Sequence, residues 1–440
     1  MSAPVKLGLR ANARQFALLV GLNALVGALV GLERSVLPLV GKQDFGLHST
    51  VAILAFVVAF GAAKALTNLA SGELAERLGR KRLLVIGWLV TLPVPLLIGL
   101  ATSWWFIVAA NLLLGVNQGL AWSMTVVMKI DLAGPRRRGL ALGLNEAAGY
   151  LGVAAAAFIS GALAASYAPR TVVWVAAAAI VVTGLLVSVF AVRDTGDHVA
   201  LEQAAHGAEP RESTGLRAAF MRASFRDPVL RACSQAGLVN NLNDALAWGL
   251  APLYLAAHGA SVRQIAVVAA AYPVVWGAGQ LATGWLSDHI GRKPLIAGGM
   301  LVQAGALVLL VVGNGAFTPS LIAAILLGVG TAMVYPTLIA AVSDASQPRD
   351  RARTVGVYRF WRDFGFVLGA LIAGIGADAA SPRAAILIVA ILTGASGLIV
   401  VATRWQSRSA VEPSLRALEQ GPRVAERGRL RSGALTGKEA

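Results

Sequence analysis

The chain has 440 residues, of which 57% are hydrophobic and only 14% charged, with a mean hydropathy of +0.68. A soluble protein of this length carries roughly a quarter charged residues, so too little polar surface exists to cover a water-soluble globule. The net charge of +16 would suggest nucleic acid on a soluble protein. Here the basic residues gather in loops and tails beside apolar segments, so membrane orientation explains them and no nucleic-acid partner is expected. The single cysteine, Cys233, excludes an internal disulfide framework and suits a small packing residue.

Residues 1–14 carry Lys6, Arg10 and Arg14 and form a cytoplasmic segment. The apolar run that follows is too long for a cleavable signal. A spanning helix needs about 20 apolar residues. By that measure the first six spans are 15–38, 49–72, 83–101, 104–128, 139–163 and 171–192. A polar linker follows at 193–228, with Asp194, Asp197, His198, Glu202, His206, Glu209, Arg211 and Glu212, expected to be partly helical. Six further spans are 231–256, 262–286, 294–313, 318–342, 354–377 and 383–403. The domains are therefore an N-terminal six-helix bundle at 15–192 and a C-terminal one at 229–403. The Arg-, Ser- and Gly-rich tail 404–440 reads as disordered, its arginines suited to anionic lipid.

Alternate loops differ in charge. One set holds Arg77, Arg80, Lys81 and Arg82, then Lys129 and Arg136 to Arg138, the linker, Arg292 with Lys293, and Arg349, Arg351 and Arg353. The other set holds little beyond Lys42, Arg170, Arg263 and Arg383. The rich side is cytoplasmic by the positive-inside rule, and an even number of spans puts both termini there.

The two halves repeat each other. Gly72-Glu73-Leu74-Ala75-Glu76-Arg77-Leu78-Gly79-Arg80-Lys81 returns as Gly284-Trp285-Leu286-Ser287-Asp288-His289-Ile290-Gly291-Arg292-Lys293. Asp131 returns as Asp344, Arg138 as Arg351, Gly143 as Gly356, Gly152 as Gly365 and Gly161 as Gly374, all 213 positions on. That is a parallel repeat of two six-helix units.

In these residues the chain resembles the major facilitator superfamily of secondary transporters. Its loop of pattern G-x-L-[AS]-D-R-x-G-R-K joins helices two and three and again eight and nine. Here Glu76 stands for the Asp of the first copy and His289 for the Arg of the second. The resemblance implies an all-α membrane fold of twelve helices in two pseudo-symmetric bundles, with helices 1, 4, 7 and 10 lining the substrate path.

A charged side chain in the bilayer core costs about 2.5–3.5 kcal/mol on insertion scales, which makes each one a site candidate. Glu33 and Arg34 lie near the outer end of span 1, Lys64 near the middle of span 2, and Asp244 near the centre of span 7. Asn240 and Asn241 share a face with Asp244. Glu146 lies in span 5. Arg359, Arg362 and Asp363 lie in the inner half of span 11, where Arg359 and Asp363 are spaced to pair, leaving Arg362 for another carboxylate or an anionic ligand. One reading makes these groups neutralising pairs, such as Glu33 with Lys64 or Glu146 with an arginine; Glu146, Arg359 and Asp363 fit it as parts of a gate. The other is a cavity of titratable groups, which suits Glu33, Lys64 and Asp244. Asp244, with amide neighbours, is the better proton site. Asn117 and Gln118 in span 4, Trp248 in span 7 and Tyr335 in span 10 join the path by resemblance.

The repeated loop suits a gate. Gly72 and Gly284 permit close approach to the opposite half, with Gly79 and Gly291 completing each motif. Glu76 and Asp288 can accept from a helix N-terminus there, and Arg80 and Arg292 can bridge to Asp131 and Asp344. Nothing points to an enzyme, a metal or a cofactor: no Walker-type phosphate loop and no His/Cys cluster of ligand spacing is present. The acidic sugar-porter run after span 6 is missing, and span 5 lacks the Gly-Pro pair of the drug:proton antiporters. The expected function is a monomeric inner-membrane carrier, with small-molecule substrate, protons and lipid as partners, working as proton-coupled efflux. Movement of a small organic anion, motivated by Arg34, Lys64 and Arg362, is the alternative. A non-transporting sensor is a third reading, and a sealed, fully packed centre would mark it.

Overall fold

A computed structural model describes residues 7–47, 50–134, 137–164, 166–205 and 215–405. The expectations for the tail beyond 405 and for 206–214 of the linker lie outside the described residues. The first half forms α1 Ala13–Gln43, α2 Thr50–Leu78, α3 Arg80–Gly99, α4 Trp104–Ala133, α5 Arg138–Ala164 and α6 Pro169–Phe190. The second forms α7 Pro228–Ala257, α8 Val262–Ile290, α9 Arg292–Val312, α10 Phe317–Ala345, α11 Arg351–Ala379 and α12 Pro382–Ala402. Among the described residues, nine of these twelve are long and apolar enough to cross a membrane by themselves; α7, α8 and α11 complete the set.

Within each bundle the packing repeats. α1 lies against α5 as α7 lies against α11, and α2 against α4 as α8 against α10. Small residues set these distances: Gly27 and Gly31 of α1 face the backbone of Gly149 and Val153, and Gly365 and Gly369 of α11 face Leu238 and Leu242. The bundles meet along two seams, α2 with α11 and α5 with α8. Large apolar side chains such as Val58, Phe158, Phe190 and Ile391 point outward, as a lipid-facing surface requires.

Three readings of the sequence change. The Gly72 and Gly284 motifs are not loops: they form the last turns of α2 and α8, and one residue, Gly79 or Gly291, makes the whole turn into the next helix. These glycines take φ of 87° and 92°, a region that side chains disfavour. Lys129 is not a loop residue either. It is buried in α4, with its ammonium on the Leu19 carbonyl at 3.0 Å. Finally, α4 contains a π-helical turn at Gln118–Trp122, which counting apolar residues does not reveal. In the linker, Gly196–Ala205 is helical and carries Glu202 under the bundles.

Candidate functional site

A cavity of about 150 Å³ lies between the bundles. The N-terminal bundle lines it with Arg34 of α1, Phe60, Gly61 and Lys64 of α2 and Tyr150 of α5. The C-terminal bundle contributes Asn241, Asp244 and Trp248 of α7, Trp276 of α8, Tyr335 of α10 and Arg362, Asp363 and Phe366 of α11. Arg34 and Trp248, towards the far ends of their helices, are exposed, so the cavity opens away from the Gly-Arg-Lys turns.

The two walls differ in chemistry. On the first, Arg34 lies 5.3 Å and Lys64 5.8 Å from the centre of the Phe60 ring, and Lys64 is also 5.8 Å from the Trp122 ring. Such contacts hold a cation but do not neutralise it. Among the described residues neither cation makes a salt bridge; Lys64 lies within electrostatic reach of Asp363, which is already paired with Arg362, and Arg34 within reach of Glu33, which is off the cavity. On the second wall every charge is engaged. Asp244 accepts from the Tyr272 hydroxyl, which also meets Thr331 at 3.2 Å. Arg362 donates through Nε (2.9 Å) and Nη2 (2.5 Å) to one oxygen of Asp363, and through Nη1 (2.7 Å) to the Tyr335 hydroxyl. Tyr150, Trp276 and Tyr335 form an aromatic cluster, with Tyr150 and Trp276 4.2 Å apart and Trp276 and Tyr335 5.2 Å apart.

The cavity floor is stitched across the seams. Tyr150 of α5 donates to Tyr335 of α10 at 3.2 Å. Asn68 of α2 donates to the second oxygen of Asp363 at 2.5 Å and accepts from Ser123 at 2.6 Å.

Several expected site residues lie elsewhere. Glu33 is 1% exposed and off the cavity, its two oxygens without hydrogen bonds; one residue along a helix turns a side chain by about 100°, so Arg34 faces the cavity and Glu33 does not. No Glu33–Lys64 pair forms. Asn117 and Gln118 bond to the carbonyls of Gly87 (2.9 Å) and Val26 (3.1 Å) inside the bundle, and Asn240 accepts from Gln303 (3.0 Å). Asp363, expected in the gate, lines the cavity and pairs with Arg362 rather than Arg359, so Arg362 needs no further carboxylate. Glu146 meets no arginine: it accepts from Trp122 (3.2 Å) and Asn145 (2.6 Å). Tyr150, Phe60, Trp276 and Tyr272 were missed because they lie on helices 5, 2 and 8, outside the four expected to line the path. The i+4 spacing of Glu146 and Tyr150 and of Phe60 and Lys64 was the available signal.

Below the floor the seams are sealed by ion pairs. Arg138 donates to Asp344 of the other bundle at 2.9 Å, and Arg351 to Asp131 at 3.2 Å. Arg292 reaches Asp344 at 3.1 Å and Arg80 reaches Asp131 at 3.4 Å. Asp288 accepts from the first amides of α5, Gly139 and Leu140, both at 2.9 Å. Glu76 does not do the equivalent. Among the described residues it makes a 3.6 Å ion pair with Arg80, and Glu73 crosses the seam instead, to Arg353 at 2.5 Å. Gly72 lies against the backbone of Ala352 and Arg353, and Gly284 against Gly139 and Gly143, so a side chain at either would collide with the other bundle.

Comparison with known proteins agrees with this architecture. The family model described as Major Facilitator Superfamily matches residues 19–242 and 233–435. A probable 4-methylmuconolactone transporter of Cupriavidus pinatubonensis is 28% identical over 58% of this chain; the match spans 56% of that relative's length. The 3-(3-hydroxy-phenyl)propionate transporter of Escherichia coli is 28% identical over 71% of this chain and 76% of its own. Among solved structures, the Escherichia coli fucose:proton symporter superposes with a TM-score of 0.70 over 89% of this chain and 98% of its own, at 15% identity. A human organic anion transporter gives 0.70 over 88% and 99%, at 17% identity. At these identities the likeness is one of fold.

Proposed function

The chain belongs to the Major Facilitator Superfamily, and from that premise we propose that it is a secondary carrier of a small carboxylate anion bearing a ring. One observation carries this: Arg34 and Lys64 flank the Phe60 ring on the cavity wall without a salt bridge, and the one cavity carboxylate near Lys64, Asp363, is already paired with Arg362. The lining has three basic residues against two acidic ones, and both acids are already hydrogen-bonded. With Glu33 removed from the cavity, the negative potential that drug or cation efflux needs is missing, so the anion reading takes precedence over efflux. The Tyr150, Trp276 and Tyr335 cluster supplies faces on which a planar ring packs. Two relatives named for transport of a methylmuconolactone and a hydroxyphenylpropionate support the same substrate class.

In this reading the substrate carboxylate settles between Arg34 and Lys64 while its ring meets the aromatic cluster. Asp244 is the proposed proton site, because its protonation disturbs a tyrosine hydrogen bond and no ion pair. The two bundles then rock about the cavity, parting the sealed seams. The proposed setting is the inner membrane, with the basic end cytoplasmic and the carrier a monomer.

The test is uptake of labelled 3-(3-hydroxyphenyl)propionate, benzoate, a hexose and an aromatic amine into proteoliposomes under an imposed pH gradient. Saturable movement of a carboxylate, absent for the amine and the sugar, is expected. Movement of the amine alone would return the efflux reading.

A further inference from the structure

Arg359 of α11 is a buried cation that the site above does not use. It is 0% exposed, and its Nε, Nη1 and Nη2 bond to nothing. An arginine cannot shed its proton to escape burial, so a charge that makes no hydrogen bond there must be compensated by groups around it. Its position tells where the compensation lies. It stands three residues, about 4.5 Å, before Arg362 on α11, on the sealed side of the cavity floor. Across the pseudo-twofold repeat its counterpart is Glu146 of α5. Arg359 is within electrostatic reach of Glu146 and of Asp363, which is already paired with Arg362; Glu146, which Lys129 also approaches, has its second oxygen buried without a hydrogen bond. Two opposite charges thus face the junction of the bundles, both incompletely satisfied while the seams are shut.

We infer that Arg359 is a second carboxylate-binding station, used when the seams part on the Gly-Arg-Lys side, and that Glu146 competes with the substrate for it. This rests on the anion reading above. Opening the seams widens the space beneath Arg362, and Arg359 is the next guanidinium along α11 on the way out. Its three free donors match a carboxylate, which they hold in a charge-assisted, two-pronged contact. Glu146 then takes the guanidinium when the anion leaves, for as long as the seams stand open.

The two faces of the carrier separate this role from packing. Oriented vesicles holding the full chain are assayed with labelled 3-(3-hydroxyphenyl)propionate supplied from each side. Arg359→Gln is expected to raise KM from the Gly-Arg-Lys side at least tenfold and to leave KM from the far side within twofold. Arg359→Lys recovers part of the loss. Glu146→Gln, which removes the competitor, lowers KM on the Gly-Arg-Lys side severalfold, and it keeps the test decisive where Arg359→Gln does not fold. Equal shifts from both sides, no shift, or shifts of one direction in Arg359→Gln and Glu146→Gln overturn the inference. A wild type that moves the amine and no carboxylate overturns the anion reading itself, and this station with it.

Discussion

Arg138 and Arg351, 213 positions apart in the repeat, donate to the same oxygen of Glu202, Arg351 at 2.8 Å. The linker carboxylate therefore sits between symmetry-related arginines of the two bundles. Each arginine also crosses to the other bundle's aspartate, Asp344 or Asp131. A connector that only tethered the halves would have no reason to bury a carboxylate. This one is placed to act as a latch while the seams are shut, a role that Glu202→Gln tests.

Glu202→Gln is expected to shift the carrier towards the open form on the latch side. Burial alone would raise the Glu202 carboxyl, but the two guanidinium groups outweigh it and bring it from the usual 4.5 down to about 2. That difference corresponds to about 3 kcal/mol in favour of the latched form. A carboxyl held low contributes fully above its ordinary value and loses its contribution as pH falls towards 2. The latch is thus constant between pH 5 and 8, and pH dependence of transport in that range arises elsewhere. Labelling of a cysteine placed at Ser287, a buried side chain of similar size that lies at the seam against Gly139 of the opposite bundle, reads the opening, against a background kept low by the burial of Cys233. Unchanged labelling in Glu202→Gln would remove the latch.

The two copies of the repeated motif are expected to respond unequally. Asp288 holds two amides of α5 and pairs with Arg292 at 2.7 Å. Glu76 pairs at 3.6 Å with its own Arg80. Asp288→Asn weakens charge-assisted bonds across the seam, worth roughly 1–3 kcal/mol, and should raise cysteine labelling at position 287 and slow net transport severalfold. Glu76→Gln should do little of either, and Glu73→Gln more than Glu76→Gln. Equal effects of Glu76→Gln and Asp288→Asn would mean that the asymmetry plays no part in closing the seams.

Much of the fold was legible because the repeat is written in the residues themselves. The Gly-Arg-Lys copies and the constant offset of Asp131, Arg138 and Gly143 mark two equivalent bundles, and the Arg80–Asp131 and Arg292–Asp344 contacts follow from where those residues fall. The cavity was less legible. Position along a span was readable for Glu33, Arg34 and Asp363, but the direction of each side chain was not, because every span has apolar residues on all sides and no amphipathic stripe shows which face looks inward. Asp363 chose its neighbour Arg362 over Arg359, a choice set by the facing Asn68 and Tyr335 of other helices. Lys129 and Glu202 show the same limit: both fall in polar stretches of the sequence, yet Glu202 is buried between two guanidinium groups and Lys129 against the Leu19 carbonyl within α1.

Lys64→Met is expected to weaken carboxylate binding about tenfold or more, since a charge-assisted contact is lost, with little change in protein yield. The reason is that Lys64 makes no salt bridge, and Asp363, the carboxylate it approaches, keeps its pair with Arg362 when Lys64 is removed. Arg362→Met should behave differently, because it frees Asp363 and the Tyr335 hydroxyl and lowers stability as well as transport. Binding of 3-(3-hydroxyphenyl)propionate by calorimetry and the melting temperature of the detergent-solubilised carrier separate the two. Lys64→Met that bound as tightly as wild type would move the anion away from the Phe60 wall.

Asp244→Asn is expected to abolish accumulation against a gradient while exchange of labelled for unlabelled substrate persists. The carboxyl is in the cavity wall, and its hydrogen bond comes from Tyr272, which an amide oxygen accepts equally well. The substitution therefore keeps the shape and the Tyr272 contact and removes only the ability to take and release a proton. Exchange needs the substrate site and the rocking of the bundles, both of which Asn preserves; uphill movement needs a group whose charge alternates between the two faces. Asp363→Asn, by contrast, strips Arg362 of its ion pair and slows both processes. Undiminished uphill transport in Asp244→Asn would place the coupling on Asp363, leaving Arg362 as the group that senses the proton.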